Sequence, residues 1–396
     1  MLLRAITCAV VLPLFGTVGF EVFKMTTHLR FKTSMASDSA TMKAIVYSKH
    51  GGAREVLKLS EAAAAPLTPA GPGLIVIRVA ATALNPVDFK MRRNDQPDFL
   101  IPKPKIPGYD ISGTVVSAGD GTPFTVGDKV FGMLPIIGNR WGGLAEYAVG
   151  DADLFAHAPR SIPLAEAAAL PLVGLTVLQV LDEAVGPHAP PPSARKEKIL
   201  IQAAAGGVGS FAVQYARNVL RFREVVGTSS AQNADFVRGL GATHAVDYAE
   251  RERASQPVAE GMDVVLDPVA WRYMEETLRP GSPILREGGA YAHIMSSDWA
   301  DNPAEKSALL PFVGAFNRWS TMARGLLDPS VRRVYSSAVV PDAAGLARIA
   351  AYVDGGLVRP VIDRAFKGLG NAAEAFEHLE TGHAQGKVIV VIDGSQ

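Results

Sequence analysis

The chain has 396 residues, 48% of them hydrophobic, and 39 lysines plus arginines balance 39 aspartates plus glutamates. This length accommodates two domains with separate cores, and the composition excludes a disordered or fibrous chain. With no net charge there is no global field to draw in nucleic acid or an anionic membrane, so the expected partner is a small molecule and not nucleic acid.

Residues 1–41 stand apart from the rest. Arg4 precedes an apolar run from Ala5 to Phe20, followed by Lys24, Arg30, Lys32 and a Ser/Thr-rich stretch. The run falls short of the ~20 residues of a spanning helix and is interrupted by Pro13, Gly16 and Gly19, so a removable signal or an organelle leader is expected. Such a leader would send the protein to a plastid or mitochondrion. Two alternatives stay open: an uncleaved anchor, and synthesis from Met35 or Met42, which would delete the segment and leave the protein cytoplasmic. Cys8 is the sole cysteine. It excludes an internal disulfide, and the thiolates of a four-cysteine or cysteine-ligated zinc site are missing, so metal-free chemistry is expected. His50, His157, His188 and His293 form no close pair at helical spacing.

From Met42 to about Val149, short β-type runs (KAIVY, LIVIRVAATAL, ISGTVVSAG, KVFGML) alternate with Pro, Gly and Asn/Asp punctuation and predict a compact β-rich domain. Residues 161–185 carry apolar groups at helical spacing, with Ser161 and Pro163 near the start, and predict one long helix linking two domains. GPHAPPPSARKEK then reads as a proline-stiffened surface loop. Residues 198 to about 335 alternate strand (KILIQ, EVVGT, AVDY, DVVLDPV, AYAHIM) with helical patterns, the mark of a doubly wound parallel sheet. The tail predicts helices near PDAAGLARIAAYVDGG and NAAEAFEHLE and a last strand, KVIVVID.

The most informative stretch is KILIQAAAGGVG, residues 198–209, where an apolar strand runs into a glycine-rich turn and a helix follows. Gly206, Gly207 and Gly209 allow a tight turn and close approach to a pyrophosphate, with the helix N–H groups and dipole facing its charge. Ala204 replaces the first glycine of G-x-G-x-x-G, yet the strand before, the helix after and the second strand at Val225–Thr228 supply the setting the motif requires. A dinucleotide site is expected there. About 20 residues on, where an acidic residue would bind the ribose of NAD, the chain reads Thr228, Ser229, Ser230, Ala231, Gln232, Asn233. No carboxylate repels a 2′-phosphate, and Ser229, Ser230 and Asn233 can donate to one, which favours NADPH. Arg223 and Arg238 are candidates for a completing positive charge.

The chain resembles the medium-chain dehydrogenase/reductase superfamily, in its zinc-independent quinone oxidoreductase branch, over residues 42–396. The resemblance rests on MKAIVYSKHGGAREVLKL, ALNPVDFK, PGYDISGTVVSAG, VGDKVFGM, AAAGGVG, LGATHAVDY and GHAQGKVIVVID in this order. Within the branch it is most similar to chloroplast-envelope quinone oxidoreductases and alkenal reductases, which share NPVDxK. The resemblance implies a GroES-like catalytic domain over 42–165, completed by 340–396, with a Rossmann NADP-binding domain over 166–339 inserted in it. Zinc-dependent relatives place a cysteine ligand near Asn85, in keeping with the cysteine count.

The resemblance also implies cofactor contacts from Thr176, Ala205, Gly206, Gly207, Val208, Gly209, Tyr248, Asp267, Val269, Ile294, Met295, Ser296 and Lys387. Asn85, orienting nicotinamide or substrate, and Lys90, offering charge to a developing oxyanion, are the catalytic candidates; Asp88 fits a loop-fixing role. Related enoyl-thioester reductases carry a tyrosine donor shortly after this motif, and here none precedes Tyr109. The implied activity is NADPH-dependent hydride transfer to quinones or α,β-unsaturated carbonyls, with a homodimer allowed. The competing readings are an enoyl-thioester reductase and a noncatalytic NADPH-binding redox sensor. Absence of Tyr-x-x-x-Lys and of G-x-S-x-G opposes a short-chain dehydrogenase and a serine hydrolase.

Overall fold

The computed structural model describes residues 36–66, 68–93, 101–185, 197–250, 259–269, 273–279, 281–294, 333–337 and 339–392. The apolar N-terminal run, most of the proline-rich loop after Val185, Met295 and Ser296 lie outside these residues. Among the described residues no helix is long and apolar enough to cross a membrane.

Strand β1 (Ala36–Val46) pairs antiparallel with β2 (Lys58–Pro66). Residues 36–41, expected to belong to a leader, are thus the start of a paired strand. The larger sheet, antiparallel except for the parallel pair β14–β15, follows from runs whose inward positions are apolar. Its order is β14 (Ile362–Lys367), β15 (Lys387–Val391), β3 (Leu74–Leu84), β4 (Asp110–Ala118), β5 (Lys129–Met133) and β7 (Phe155–His157), with β6 (Tyr147–Asp151) on β3. The C-terminal strand therefore returns to the first sheet, Val388 opposite Leu84 and Val391 opposite Ala81.

The second sheet is wholly parallel. Its order is β10 (His244–Asp247), β9 (Glu224–Ser229), β8 (Lys198–Ile201), β11 (Met262–Asp267), β12 (Leu285–Ile294) and β13 (Arg333–Ser337). Every residue of β11 is buried, as expected of a strand covered on both faces. The chain order reverses between β8 and β11, and in such sheets the ligand crevice opens at the carboxyl ends beside that reversal.

Between the sheets the expected single helix is two. Leu164–Ala167 forms a short turn, Leu170 closes a tight bond from its N–H to the Ala167 carbonyl, and a second helix runs from Pro171 to Val185. Pro171 has no N–H to continue the first helix and restricts Leu170 before it, so the periodic pattern is read through a break that proline chemistry imposes. Ser161 does not cap the helix; its N–H donates to Asp354 at 2.9 Å. Leu175, Val177 and Leu181 of the second helix share one buried cluster with Phe131 and Met133 of β5 and Ile199 and Ile201 of β8. Each such side chain contributes about 2 kcal/mol on burial, and the cluster is shared by strands of both sheets.

Candidate active site at the junction of the two sheets

The glycine turn follows β8. Ala204 is fully buried, and a Cβ added at Gly227 of β9 would lie 2.8 Å from the Ala204 Cβ. The missing first glycine is thus compensated across the sheet, where Gly227 leaves the room that the Ala204 methyl takes. Gln202, Ala203 and Thr228 lock the turn: the Ala203 N–H donates to Thr228 Oγ1 at 3.0 Å, and that hydroxyl donates to Gln202 Oε1 at 2.7 Å. Ala203 is held at φ +47°, a strained conformation for a residue with a Cβ. The helix Gly207–Gln214 starts from Gly206 with no side-chain cap, so its first-turn N–H groups are left for a ligand.

A cavity of about 270 Å³ opens here, lined by Gly206, Gly207, Val208 and Gly209 on one side and by Asn85 and Lys387 on the other. Leu84, Phe89, Val173 and Leu379 give it an apolar wall, and Glu380 also faces it. The two sides are stitched together by the C-terminal segment. Gly386 donates its N–H to the Ala205 carbonyl at 2.9 Å and bridges Gly206.

Lys387, Asn85 and Asp110 are all buried and bonded to one another. The Lys387 ammonium donates to Asn85 Oδ1 and, at 3.1 Å, to Asp110 Oδ2. Asn85 Nδ2 donates to the same Asp110 oxygen at 2.8 Å. With a donor-only and an acceptor-only neighbour, the Asn85 amide has one permissible orientation. Asp110 Oδ1 accepts the Leu172 N–H at 2.8 Å, near the start of the helix Pro171–Val185. Burial pushes the Asp110 pKa up, and Lys387, Asn85 and Leu172 pull against it.

Beneath this group Asp88 accepts the N–H groups of Asn85 and Gly108, each at 2.9 Å, and so fixes the loop. Burial pushes its pKa up to about 7 against those two amides and Lys387, with the Asp110 charge adding to the push. The folded protein therefore holds this proton more tightly than the unfolded chain. The resulting stability is fully present below about pH 4 and is lost as the pH rises through about 7. Asp88→Asn should flatten that decline, a change of a few kcal/mol at most, in urea midpoints measured across this range. Lys105, pushed down to about 8 by burial, acts oppositely: its contribution is lost as the pH falls through that value.

At the cavity rim the fully buried Arg92 donates to the Gly51 carbonyl and to Glu380, while Arg93 donates to the other Glu380 oxygen. Removing the counter-ion of a buried arginine typically costs about 3 kcal/mol or more. Glu380→Ala should lower the urea midpoint accordingly; an unchanged midpoint would show that Arg92 is satisfied without it.

Of the other expected site residues, Lys90 sits on the helix Pro86–Arg93 but does not line the cavity, whereas Pro86 and Phe89 do. Thr176 is buried and its hydroxyl donates to the Leu172 carbonyl at 2.6 Å. Ser229, Asp267 and Ile294 end β9, β11 and β12 at the carboxyl edge. Ser229 Oγ donates to the Ser230 carbonyl at 3.0 Å, and Asn233 Oδ1 accepts from Gln385 at 2.5 Å. Asp267 accepts the Tyr291 hydroxyl at 2.5 Å and the Val269 N–H at 2.9 Å, while Tyr248 and Val269 are exposed. Arg223 precedes β9 and so lies at the opposite end of that strand from Ser229, and Arg238 is paired with Asp235 at 2.7 Å. Asp110 lies within PGYDISGTVVSAG, where nothing local marks it as the meeting point of residues so far apart.

The described residues contain no cluster of three or more His, Cys, Asp or Glu side chains placed to hold a metal ion. Residues 71–160 match the family described as "Alcohol dehydrogenase GroES-like domain", and residues 240–390 the one described as "Zinc-binding dehydrogenase". The chain is 33% identical over 355 residues to "Chloroplast envelope quinone oxidoreductase homolog" of Arabidopsis thaliana, covering 88% of this chain and 98% of that protein. It is 32% identical over 366 residues to "NADPH-dependent alkenal/one oxidoreductase, chloroplastic" of the same plant, covering 90% and 81%. Among solved structures, the quinone oxidoreductase from Coxiella burnetii superposes with a TM-score of 0.70 at 27% identity, covering 89% of this chain and all of that one.

Proposed function

Because the chain belongs to the medium-chain dehydrogenase/reductase superfamily, we propose that it is an NADPH-dependent, zinc-independent oxidoreductase that reduces quinones or α,β-unsaturated carbonyls. One observation carries the proposal: the uncapped helix start after β8 and the buried Asn85–Lys387 pair open on the same cavity of about 270 Å³. The cradle fits a dinucleotide, since Gly206 and Gly207 carry no side chains of their own and no side chain caps the first-turn amides.

When bound, NADPH would supply the hydride. Gly207, Val208 and Gly209 would hold its pyrophosphate, with Ala205 and Gly206 shaping the turn. Ser229, Ser230 and Asn233 would receive the 2′-phosphate, and Thr176, Tyr248, Asp267, Val269 and Ile294 would surround the rest. Lys387 and Asn85 would orient the nicotinamide and the acceptor. The ammonium group then stands ready to stabilise an acceptor oxygen that gains negative charge, in a site whose apolar wall excludes water. The single cysteine, Cys8, leaves no thiolate set for a zinc ion, so treatment with a chelator should leave turnover unchanged. The chloroplast names of relatives and the basic, apolar first residues support placement in an organelle.

The test is an oxidation screen with NADPH and NADH against enals, enones, quinones and enoyl thioesters. Turnover of the first three classes with NADPH is expected. Tight NADPH binding without any turnover would favour a redox sensor, and preference for thioesters an enoyl reductase. Ser230→Asp should reduce kcat/KM for NADPH at least tenfold, about 1.4 kcal/mol, and leave NADH nearly unaffected; equal losses would refute the 2′-phosphate assignment.

A further inference from the structure

We propose that Asp110 is the positioning residue of this site, holding the Lys387 ammonium at the cavity through a direct ion pair and through Asn85. The inference rests on the cavity being the active site, but the contact itself exists in the chain alone. Asp110 is fully buried and is the first residue of β4, where it meets three segments distant in sequence. Asn85 ends the β3 side, Leu172 opens the long helix, and Lys387 begins β15. Two of the three Lys387 protons are taken by Asn85 and Asp110, which leaves the third for the cavity that Lys387 lines. A lysine side chain has four rotatable bonds, and such pinning removes the entropy that would otherwise blur its position.

The chemistry of substitution separates positioning from mere structure. In Asp110→Asn the remaining Oδ1 can still accept from Leu172, but the new amide N–H₂ faces two donors, Asn85 Nδ2 and Lys387 Nζ. The buried Lys387 side chain then loses both its counter-charge and the acceptor that pins it. If Lys387→Met is added, the Asn85 amide is released to turn over and accept from the substituted side chain, and the conflict disappears.

The experiment labels the cofactor-free, full-length protein with acetic anhydride and reads Lys387 acetylation by peptide mass spectrometry. Alongside it, NADPH affinity, kcat and KM are measured in a double-mutant cycle with the best acceptor of the screen. Lys387 should be protected in the parent and acetylated about tenfold or more faster in Asp110→Asn, because a side chain released from its two acceptors reaches the reagent. kcat should fall at least tenfold with a smaller change in KM, and on the Lys387→Met background the second substitution should add little. Unchanged acetylation in a folded Asp110→Asn protein, or additive losses in the cycle, would overturn the proposal. If Asp110→Asn does not fold, the double variant decides: recovery of cooperative unfolding supports the ion pair as the cause, and continued failure refutes it. A protein inactive toward every acceptor would sink the reductase reading while leaving the acetylation result to judge Asp110.

Discussion

Gly209→Ala should unfold the cofactor turn and abolish tight NADPH binding, although it adds one methyl group. A Cβ at this position would lie 2.2 Å from the Ala203 carbonyl oxygen and 2.6 Å from the Ala204 Cα. Both are backbone atoms of the strand-to-helix turn, so no side chain can swing away to make room. The helix Gly207–Gln214 must instead lift off β8. Overpacking of this kind costs about 1–3 kcal/mol and often more where backbone must move. The displacement would fall on the amides of Gly207, Val208 and Gly209, so NADPH affinity should drop by at least tenfold, and by more if the turn loses its fixed shape. Gly239→Ala is the matched control, because a Cβ there meets nothing within 4 Å. It sits in the helix Ala234–Gly239, where alanine is the better helix former by up to about 1 kcal/mol. Urea midpoints should therefore move in opposite directions for the two variants, while NADPH fluorescence titration should change only for Gly209→Ala. Equal behaviour would mean that Gly209 is not packed against the turn at Ala203 and Ala204.

The contrast between these glycines illustrates what a sequence makes legible. The strand, turn and helix at residues 198–214 are neighbours in the chain, so their spacing and residue types declare the crevice directly. The alternation of strands and helices after Lys198 likewise foretells a parallel sheet, and β8, β9, β10, β11 and β12, which fall within the expected runs or overlap them, all pair in it. What stays hidden is tertiary compensation. Ala204 looks like a defect in the motif until Gly227, on another strand, is seen to vacate the space it needs. Asp110 bonds to partners 25, 62 and 277 residues away, and no window of sequence contains that meeting. The long helix is misjudged for a different reason: apolar periodicity continues through Pro171, and the missing N–H outranks it. Arg223 is near Ser229 in sequence but a whole strand length away in space, because an extended run of six residues carries the chain across the sheet.

Gly386→Ala should produce a second large loss, and from the opposite wall of the cavity. Gly386 has φ +88°, a conformation that costs a residue with a Cβ on the order of 1 kcal/mol. The added Cβ would also stand 2.4 Å from the Val361 carbonyl oxygen, which is backbone, so the strain cannot be relieved by a rotamer change. Together the two effects should destabilise the protein by about 2–4 kcal/mol. The functional consequence comes from where the relief must occur. Gly386 donates to the Ala205 carbonyl at 2.9 Å, and Lys387 follows it immediately with its N–H on the Val361 carbonyl at 2.9 Å. A shift away from Val361 therefore disturbs the tie to the glycine turn and the root of the lysine side chain at once. NADPH affinity and kcat should fall together in Gly386→Ala, whereas Asp110→Asn should reduce kcat more than it changes KM. Should Gly386→Ala lose stability yet keep both affinity and kcat, the link between β15 and the glycine turn would be a fold contact without a part in the site.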